Sequence, residues 1–111
     1  MILMVRIDTD PPLAFYRDAR AQQFVSGVAY RRLERVGTIR RPLQVGGGSE
    51  NANCAIALDN GDGQLTALFA IPPFRRRAVI EELSTGTAVR LFTGTVTRAT
   101  LGPEITLELE A

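Results

Sequence analysis

Oxygen-bearing side chains suited to bind a metal ion are concentrated in the stretch IALDNGDGQLTALF, residues 56–69. A calcium-binding loop of the EF-hand type needs oxygen ligands at its first, third and fifth positions and a glutamate at its twelfth. When the count starts at Asp59, glycine occupies the third and fifth positions and alanine the twelfth. The stretch therefore does not match a calcium loop.

The same stretch is better explained as a tight turn between two apolar runs. Asn and Asp side chains accept hydrogen bonds from the backbone two residues further on, and glycine adopts a positive φ without strain. We therefore predict an architectural corner with no cofactor and no metal ion. The predicted structural turn consists of Asp59, Asn60, Gly61 and Gly63.

Phosphate-binding and catalytic motifs are not found in the sequence either. The glycine run VGGGSENAN, residues 45–53, lacks a Gly-Lys-Ser/Thr element, and the chain contains no lysine. It contains no histidine, which removes the most common general base and metal ligand. We interpret the neighbouring Glu81 and Glu82 as solvated charge and the single cysteine, Cys54, as core filling. We predict no catalytic residue and no enzyme activity.

Positive charge is the remaining functional signal. All thirteen basic residues are arginines, against twelve acidic residues. Residues 1–41 carry eight arginines and four acids, a net +4, whereas residues 42–74 carry three acids and no arginine, a net −3. A basic region beside an acidic one suits self-complementary assembly or a charged partner. The arginines that we predict to form an interface or to contact a polyanion are Arg31, Arg32, Arg35, Arg40, Arg41, Arg75, Arg76 and Arg77.

Nucleic-acid binding is the alternative function that these arginines suggest. Small β-barrels bind single strands through a basic groove with stacking aromatic side chains, and Tyr30 stands beside the basic segment Arg31–Arg41. Against this function stand a net charge of only +1 and an aromatic content of 6%. Nucleic acid is therefore expected as a partner only under this alternative.

Short strands separated by turn residues must position these groups. Residues 2–8 form a candidate first strand, and residues 52–59 alternate with Cys54, Ile56 and Leu58 on one side. Residues 24–45 suggest two or three further strands. Residues 13–23 show no clean period, so a short helix and a loop both stay open.

The clearest strand patterns lie near the end of the chain. Residues 88–98 place apolar side chains on both faces, so either both faces are partly covered or a bulge lies near Gly94. Residues 105–109 alternate with polar residues, as in a strand with one wet face. The predicted core and packing positions are Phe92, Gly94, Val96 and Leu107.

Together these patterns predict an all-β fold. We expect one β domain over residues 1–111, a small sandwich or partly open barrel of about six to seven short antiparallel strands, with one short helix allowed. No apolar stretch approaches the roughly 18 residues that a membrane helix needs. We therefore expect no membrane contact.

Part of the second half resembles proteins of bacteriophage tail tips. The stretches AIALDNGDGQLTALF, PPFRRRAVIEEL and VRLFTGTVTRATLGPEITLELE are similar to baseplate or hub components of long-tailed phages and related gene-transfer particles. The resemblance covers about residues 50–111, and Arg76-Arg77 stands where Gly-Arg is expected. The matching positions are Leu58-Asp59-Asn60, Phe92-Thr93-Gly94-Thr95-Val96 and Ile105 to Leu109.

The resemblance implies a structural role. Proteins of this class form rings at the tail tip and join the tail tube to the host-binding machinery. It implies that this chain forms a ring-like homo-oligomer, contacts other tail proteins and ends in the virion tail after assembly in the bacterial host cytoplasm. Asp59 and Asn60 would then fix a corner, while Phe92 and Gly94 pack the core.

Overall fold

The computed structural model describes residues 2–9, 12–25, 27–39, 52–69 and 75–111. Its strands form one sheet with the order β3-β2-β1-β6-β7-β8-β5-β4. A 3₁₀ helix, Ala19–Phe24, follows the second strand. The strands are β1 (Leu3–Ile7), β2 (Leu13–Tyr16), β3 (Val28–Tyr30), β4 (Leu33–Val36), β5 (Asn53–Asp59), β6 (Arg77–Glu82), β7 (Val89–Thr100) and β8 (Glu104–Glu110).

The predicted all-β class is confirmed, and the sheet does not close. Its edge strands, β3 and β4, are neighbours in sequence and are separated only by Arg31 and Arg32, so the sheet curls until its two edges meet at a seam. The described strands number eight, one more than the upper end of the prediction, because β2 lies in residues 13–23, where only a helix or a loop was expected.

One pair of strands departs from the predicted antiparallel arrangement. β2 and β3 run parallel, with Leu13 opposite Val28 and Phe15 opposite Tyr30. A parallel pair needs a crossover between its strands. The segment that contains the 3₁₀ helix supplies that crossover by crossing the outer face of the sheet.

Strand β7 forms the corner between two halves of the sheet. Its first half pairs with β6 as far as Thr95, and its second half pairs with β8 from Thr95 onward. The register shifts between Ile80 and Glu81 on β6 and between Val96 and Arg98 on β7, so irregularities flank Gly94 on both sides. Bulges bend a strand and increase its twist. They allow β7 to carry the sheet around the core.

The main apolar core lies between the two halves. Leu65 and Phe69, from the segment after β5, pack into it, and Phe15 stacks on Tyr30 and Phe69 at centroid distances of 5.7 and 6.0 Å. Burying each such large side chain contributes about 1.5–3 kcal/mol. Strand residues at the centre of this core are Val5, Ile7, Ile56, Leu58, Ile80, Phe92, Val96, Ile105, Leu107 and Leu109.

A second apolar cluster explains why residues 13–23 show no period. All four residues of β2 are buried, because one face covers the main core and the other lies under the 3₁₀ helix, where Ala21 packs. The Asp18 side chain caps that helix by accepting from the Arg20 N–H at 2.9 Å. The segment thus contains both a strand and a short helix.

Other elements lie close to their predicted positions. Residues 2–8 contain β1, residues 52–59 contain β5, and residues 105–109 lie within β8. The region 24–45 contributes β3 and β4, and its residues 40–45 lie outside the described residues. Within the described ranges, no helix is long and apolar enough to cross a membrane.

Candidate functional site

Asn60 is a buried polar residue at the centre of the predicted turn, with an exposed fraction of 3%. Its Nδ2 donates to Thr66 Oγ1 and to the Gly102 carbonyl, both at 2.9 Å, and its Oδ1 accepts from the Leu65 N–H at 2.8 Å. Its own N–H donates to the Pro103 carbonyl at 2.9 Å. The side chain thereby ties the segment after β5 to the β7–β8 turn.

The other turn residues shape the backbone around Asn60. Asp59 Oδ1 accepts from the Gly61 N–H at 2.9 Å, and the Gly63 N–H donates to the Asn60 carbonyl at the same distance. Gly63 has a φ of +73°, which favours glycine. Within the described residues, no group of three or more metal-binding side chains is found. These polar groups hold the chain's own backbone.

Arg32 is bound to the same segment by a two-point contact. Its Nη1 and Nη2 donate to the two carboxylate oxygens of Asp62 at 2.8 and 2.6 Å, and Nη2 also donates to Gln64 Oε1 at 3.1 Å. The Arg32 guanidinium lowers the pKa of Asp62. Bidentate pairing fixes the plane of the guanidinium group, so Arg32 is committed to a partner within the chain.

Arg35 makes the same kind of contact with β8. Its Nη1 and Nη2 donate to the two oxygens of Glu104 at 3.1 and 2.8 Å. Arg35 lowers the pKa of Glu104, whereas the hydrogen bond with Glu104, together with burial, raises the pKa of Glu34. Glu34 lies at a register shift in the pairing of β4 with β5. The arrangement joins the edge strand to the second half of the sheet.

Arg31 and Arg17 bridge the seam between the two edges of the sheet. Arg31 Nε donates to the Arg17 carbonyl at 2.8 Å, and Arg17 Nη1 donates to the Glu34 carbonyl at 3.4 Å. An open groove of about 610 Å³ follows the seam. It is lined by Leu3, Arg17, Asp18, Ala19, Arg31, Leu33, Glu34, Arg35 and Val36.

The second predicted cluster, Arg75 to Arg77, has a different environment. All three residues are exposed. The Arg75 N–H donates to the Val96 carbonyl at 2.9 Å, and the Val96 N–H donates to the Arg76 carbonyl at 3.0 Å. In the part of the chain that the structure describes, none of the three guanidinium groups forms an ion pair. Arg40 and Arg41 lie outside the described residues.

The predicted packing positions surround the bend in β7. Phe92, Val96 and Leu107 are buried in the main core. A Cβ atom at Gly94 would lie 2.7 Å from the Glu110 carbonyl oxygen and 2.8 Å from Phe92 Cε1. Glycine therefore allows β7 and β8 to approach closely at the corner.

One ion pair that the sequence does not predict links β1 and β6, next to the end of the 3₁₀ helix. Arg6 Nε lies 2.8 Å from Glu81 Oε1, and Arg6 Nη2 donates to the Phe24 carbonyl at 3.1 Å, at the end of the 3₁₀ helix. Glu82, the neighbour of Glu81, instead accepts from the Ile2 N–H at 2.8 Å. Only the register of β1 against β6 brings Arg6 and Glu81 together, so no local signal reveals the pair.

Cys54 lies against the backbone of the chain. Its thiol is buried and donates to the Gly37 carbonyl at 3.4 Å. Burial raises the pKa of this thiol, which favours the unreactive protonated form.

Comparison with known proteins finds no relative: no family model, no curated protein and no solved structure matches the sequence. The resemblance of residues 50–111 to phage tail proteins therefore stays a prediction. The function must be argued from the fold and from the two arginine clusters.

Proposed function

We propose that this protein is a structural component of a phage or phage-like tail tip, which assembles with copies of itself and with other tail proteins between the tail tube and the host-binding machinery. The observation that carries the proposal is the open sheet, whose two edge strands, β3 and β4, meet at one seam. Exposed strand edges can pair with strands of a neighbouring molecule.

The geometry of β4 supports this use of the edge. The Gly37 N–H donates to the Ala55 carbonyl on β5, and the Asp59 N–H donates to the Arg32 carbonyl, both at 2.8 Å. Successive residues of a strand direct their backbone groups alternately to the two sides. The backbone groups of Val36, which directly precedes Gly37, therefore point away from β5 and toward the open side.

The interior of the sheet is filled by side chains, which supports a structural role rather than the binding of a ligand inside the sheet. Small β-barrels are filled by their own side chains, whereas larger ones enclose ligands. Here Phe15, Phe69, Ile56 and Leu107 are fully buried between the two halves. A filled interior gives the edges a rigid support.

The alternative, binding of single-stranded nucleic acid through Arg31–Arg41, has weaker geometric support. Arg32 and Arg35 already form bidentate contacts with carboxylates, which a phosphate would have to replace. Tyr30 stacks on Phe15, so one face of its ring is already covered. We therefore prefer assembly as the proposed function.

Mass spectrometry of phage-like particles purified from an induced culture of the source organism tests the proposal. We expect peptides of this chain at a fixed, small copy number in each particle. Well-formed particles that lack the chain would overturn the tail-tip role, and binding assays with single-stranded DNA across a salt series would then test the alternative.

A pair of variants tests the edge within the same particles. Val28 lies on edge strand β3 and Leu101 lies in the β7–β8 turn, with exposed fractions of 37% and 44%. Because a charge on an edge strand opposes pairing with another molecule, Val28→Lys should lower the copy number per particle. Leu101→Lys serves as the matched control and should not. Equal incorporation of both variants would contradict the use of this edge.

A further inference from the structure

The groove of about 610 Å³ along the seam (the seam groove) lies between β4 and the neighbouring ends of β1 and β2. Leu3 begins β1 and Arg17 directly follows β2, while Leu33 and Val36 belong to β4. Leu33 is buried in the main core, and Leu3 and Val36 pack against that core as partly buried side chains. The side of the groove that lies on the core is therefore apolar.

Strand β4 directs backbone groups into the open side of the seam. The Gly37 N–H donates to the Ala55 carbonyl, so the N–H and carbonyl of Val36 point away from β5. The Glu34 carbonyl points to the same open side, where it accepts from Arg17 Nη1 at 3.4 Å. An extended segment laid along β4 can therefore hydrogen-bond to Val36 as an added strand.

Arg17 and Arg31 place positive charge at the rim of the seam groove. Both side chains are exposed, and Arg31 Nε donates to the Arg17 carbonyl at 2.8 Å, which keeps the two residues together. Within the described residues, neither arginine forms an ion pair. A guanidinium group has five N–H donors, so each arginine keeps donors for a ligand from outside.

The acidic side chains of the groove already have partners in the chain. Asp18 Oδ2 accepts from Arg20 Nη2 at 2.7 Å, and hydrogen bonds from Arg20, with a smaller contribution from the charge of Arg31, lower the pKa of Asp18 to about 2. Glu34 shares a hydrogen bond with Glu104 on β8. A carboxylate from outside therefore meets cations that these acids do not pair with.

We propose that the seam groove binds an extended segment of another protein of the particle, which pairs with Val36 as an added strand and carries an acidic side chain that contacts Arg17 and Arg31. Apolar side chains of the same segment cover Leu3 and Val36. The inference rests on the proposed assembly role and names the chemistry of the partner, a peptide strand that combines apolar residues with a carboxylate.

A peptide strand from another protein fits this groove better than a nucleic acid or a second copy does. Val36 presents both a donor and an acceptor, and a peptide backbone satisfies both at once. The apolar side chains of Leu3 and Leu33 offer nothing to a phosphate backbone. The most acidic strand of the chain itself, β8, lies inside the sheet between β7 and β5, so it is not free to enter the groove of a second copy.

Selection from a peptide library tests the chemistry of the partner. The probe is a library of capped hexapeptides in which each position holds Val, Thr, Glu or Lys, and it is incubated with the full chain. We expect the retained peptides to combine Val with Glu and to exclude Lys at the position of Glu. The double variant with Arg17→Glu and Arg31→Glu should instead retain peptides with Lys, because the charge of the rim is reversed.

Calorimetric titration with a retained peptide compares this double variant with a matched control. The double variant should raise the dissociation constant of the Glu peptide by at least about tenfold. Arg77 is also exposed and, in the described part of the chain, forms no ion pair. Glu82 is opposite Leu3, and Arg77 lies at the other end of β6, about 16 Å away.

That distance is about twice the Debye length of about 8 Å at physiological ionic strength. Arg77→Glu should therefore leave the dissociation constant within about twofold of the wild-type value. Circular dichroism and thermal unfolding check that both variants are folded.

Amide hydrogen exchange tests the added strand itself. The Val36 N–H should exchange at least about tenfold more slowly when the peptide is bound, whereas the Gly37 N–H, which already donates to the Ala55 carbonyl, should change little. Methylation of alternate backbone nitrogens of the peptide should abolish binding for one set of nitrogens and not for the other, because only one set faces β4.

Several results would overturn the groove as a binding site. They are a library from which no peptide is retained, no preference for Glu over Lys, equal effects of the double variant and Arg77→Glu, and a Val36 N–H that the peptide does not protect. Binding of single-stranded DNA that only the double variant loses, without a retained peptide, would assign the two arginines to a nucleic acid instead. Particles that contain the chain, together with a failed peptide test, would overturn only this inference. A bound peptide without the chain in particles would overturn only the tail-tip role.

Discussion

The two arginine clusters look alike in sequence and differ in the folded chain. Arg32 and Arg35 lie on either side of the start of β4, where the turn after β5 and the start of β8 bring Asp62 and Glu104 within bonding distance. Arg77 begins β6 and faces Thr95, which offers no negative charge. The first cluster holds the molecule together, and the second faces outward.

This difference shows that a run of basic residues is a binding surface only after the partners within the chain are identified. Exposed ion pairs contribute little to stability, but bidentate ones orient a side chain and compete with outside ligands. Arg32 and Arg35 are occupied in this way. An unoccupied cluster such as Arg75 to Arg77 is the better candidate for an interface.

The largest expected effect comes from removing the Asn60 side chain, which holds the backbone near Asp62 and Glu104, the partners of the first cluster. Asn60→Ala deprives the Leu65 N–H and the Gly102 carbonyl of their partner, and it should lower the free energy of unfolding by about 2–4 kcal/mol. Urea denaturation measures this loss. Asn53→Ala, at an exposed position on β5, should change stability by less than about 0.5 kcal/mol. A loss as small at Asn60 would contradict its place at the centre of the turn.

A substitution at Gly94, at the corner of the sheet in β7, should destabilise the fold nearly as much. Gly94→Ala places a Cβ against the Glu110 backbone and should lower the free energy of unfolding by about 1–3 kcal/mol. Gly102→Ala is the control, because its nearest contact would be 3.6 Å, from the Glu104 carbonyl oxygen, and it should have a much smaller effect. If both variants unfold at the same urea concentration, the close approach of β7 and β8 is not what requires glycine.

The two clusters themselves should differ in their effect on thermal unfolding. Arg32→Gln removes the contact with Asp62 and should lower the melting temperature, whereas Arg77→Gln removes no contact within the described residues and should not. The effect at Arg32 should shrink in high salt, since screening weakens exposed ion pairs. Scanning calorimetry at low and high salt compares them, and equal shifts for the two variants would remove the contrast between the clusters.

The smallest effect is a pH dependence at the edge of the first cluster. Because the folded chain raises the pKa of Glu34, the stability from its protonated form is complete below the unfolded value of about 4.5 and is lost as the pH rises through the folded pKa. Glu34→Gln keeps a donor for Glu104 without the charge. The variant should be more stable than the wild type at pH 7, with a difference that vanishes toward pH 4.

The pKa of Glu104 shifts in the opposite direction, and a second variant serves as the control. The lowered pKa of Glu104 contributes stability above about 4.5 that is lost as the pH falls through its folded pKa, in both proteins. Glu108→Gln, at an exposed position on β8, should not reproduce the gain at pH 7. Thermal unfolding across pH 4–8 measures the difference, and a Glu34→Gln variant less stable than the wild type at pH 7 would refute the carboxyl pair.

Strands with one face exposed to solvent can be predicted from the sequence. β8 alternates cleanly because Ile105, Leu107 and Leu109 enter the core while Glu108 and Glu110 stay exposed. β2 gives no such signal because both of its faces are covered. The edge strands β3 and β4 are too short to show a period.

The candidate site is less predictable because its partners are distant in sequence. The Asp-Asn-Gly letters indicate where the chain turns, but Asn60 donates to the carbonyl of Gly102, 42 residues away. Nothing near Arg35 points to Glu104, 69 residues along the chain. The sequence therefore predicts both arginine clusters equally, and only the sheet order separates them.

The most direct test of the account compares two neutralised triple variants by thermal unfolding at low and high salt. One carries glutamine at positions 31, 32 and 35, and the other carries it at positions 75, 76 and 77. We predict that the first melts at a lower temperature than the wild type, because it loses the bidentate contacts with Asp62 and Glu104, whereas the second keeps the wild-type melting temperature. The reverse pattern, or equal shifts in the two variants, would contradict the account, in which only the first cluster is paired within the described residues.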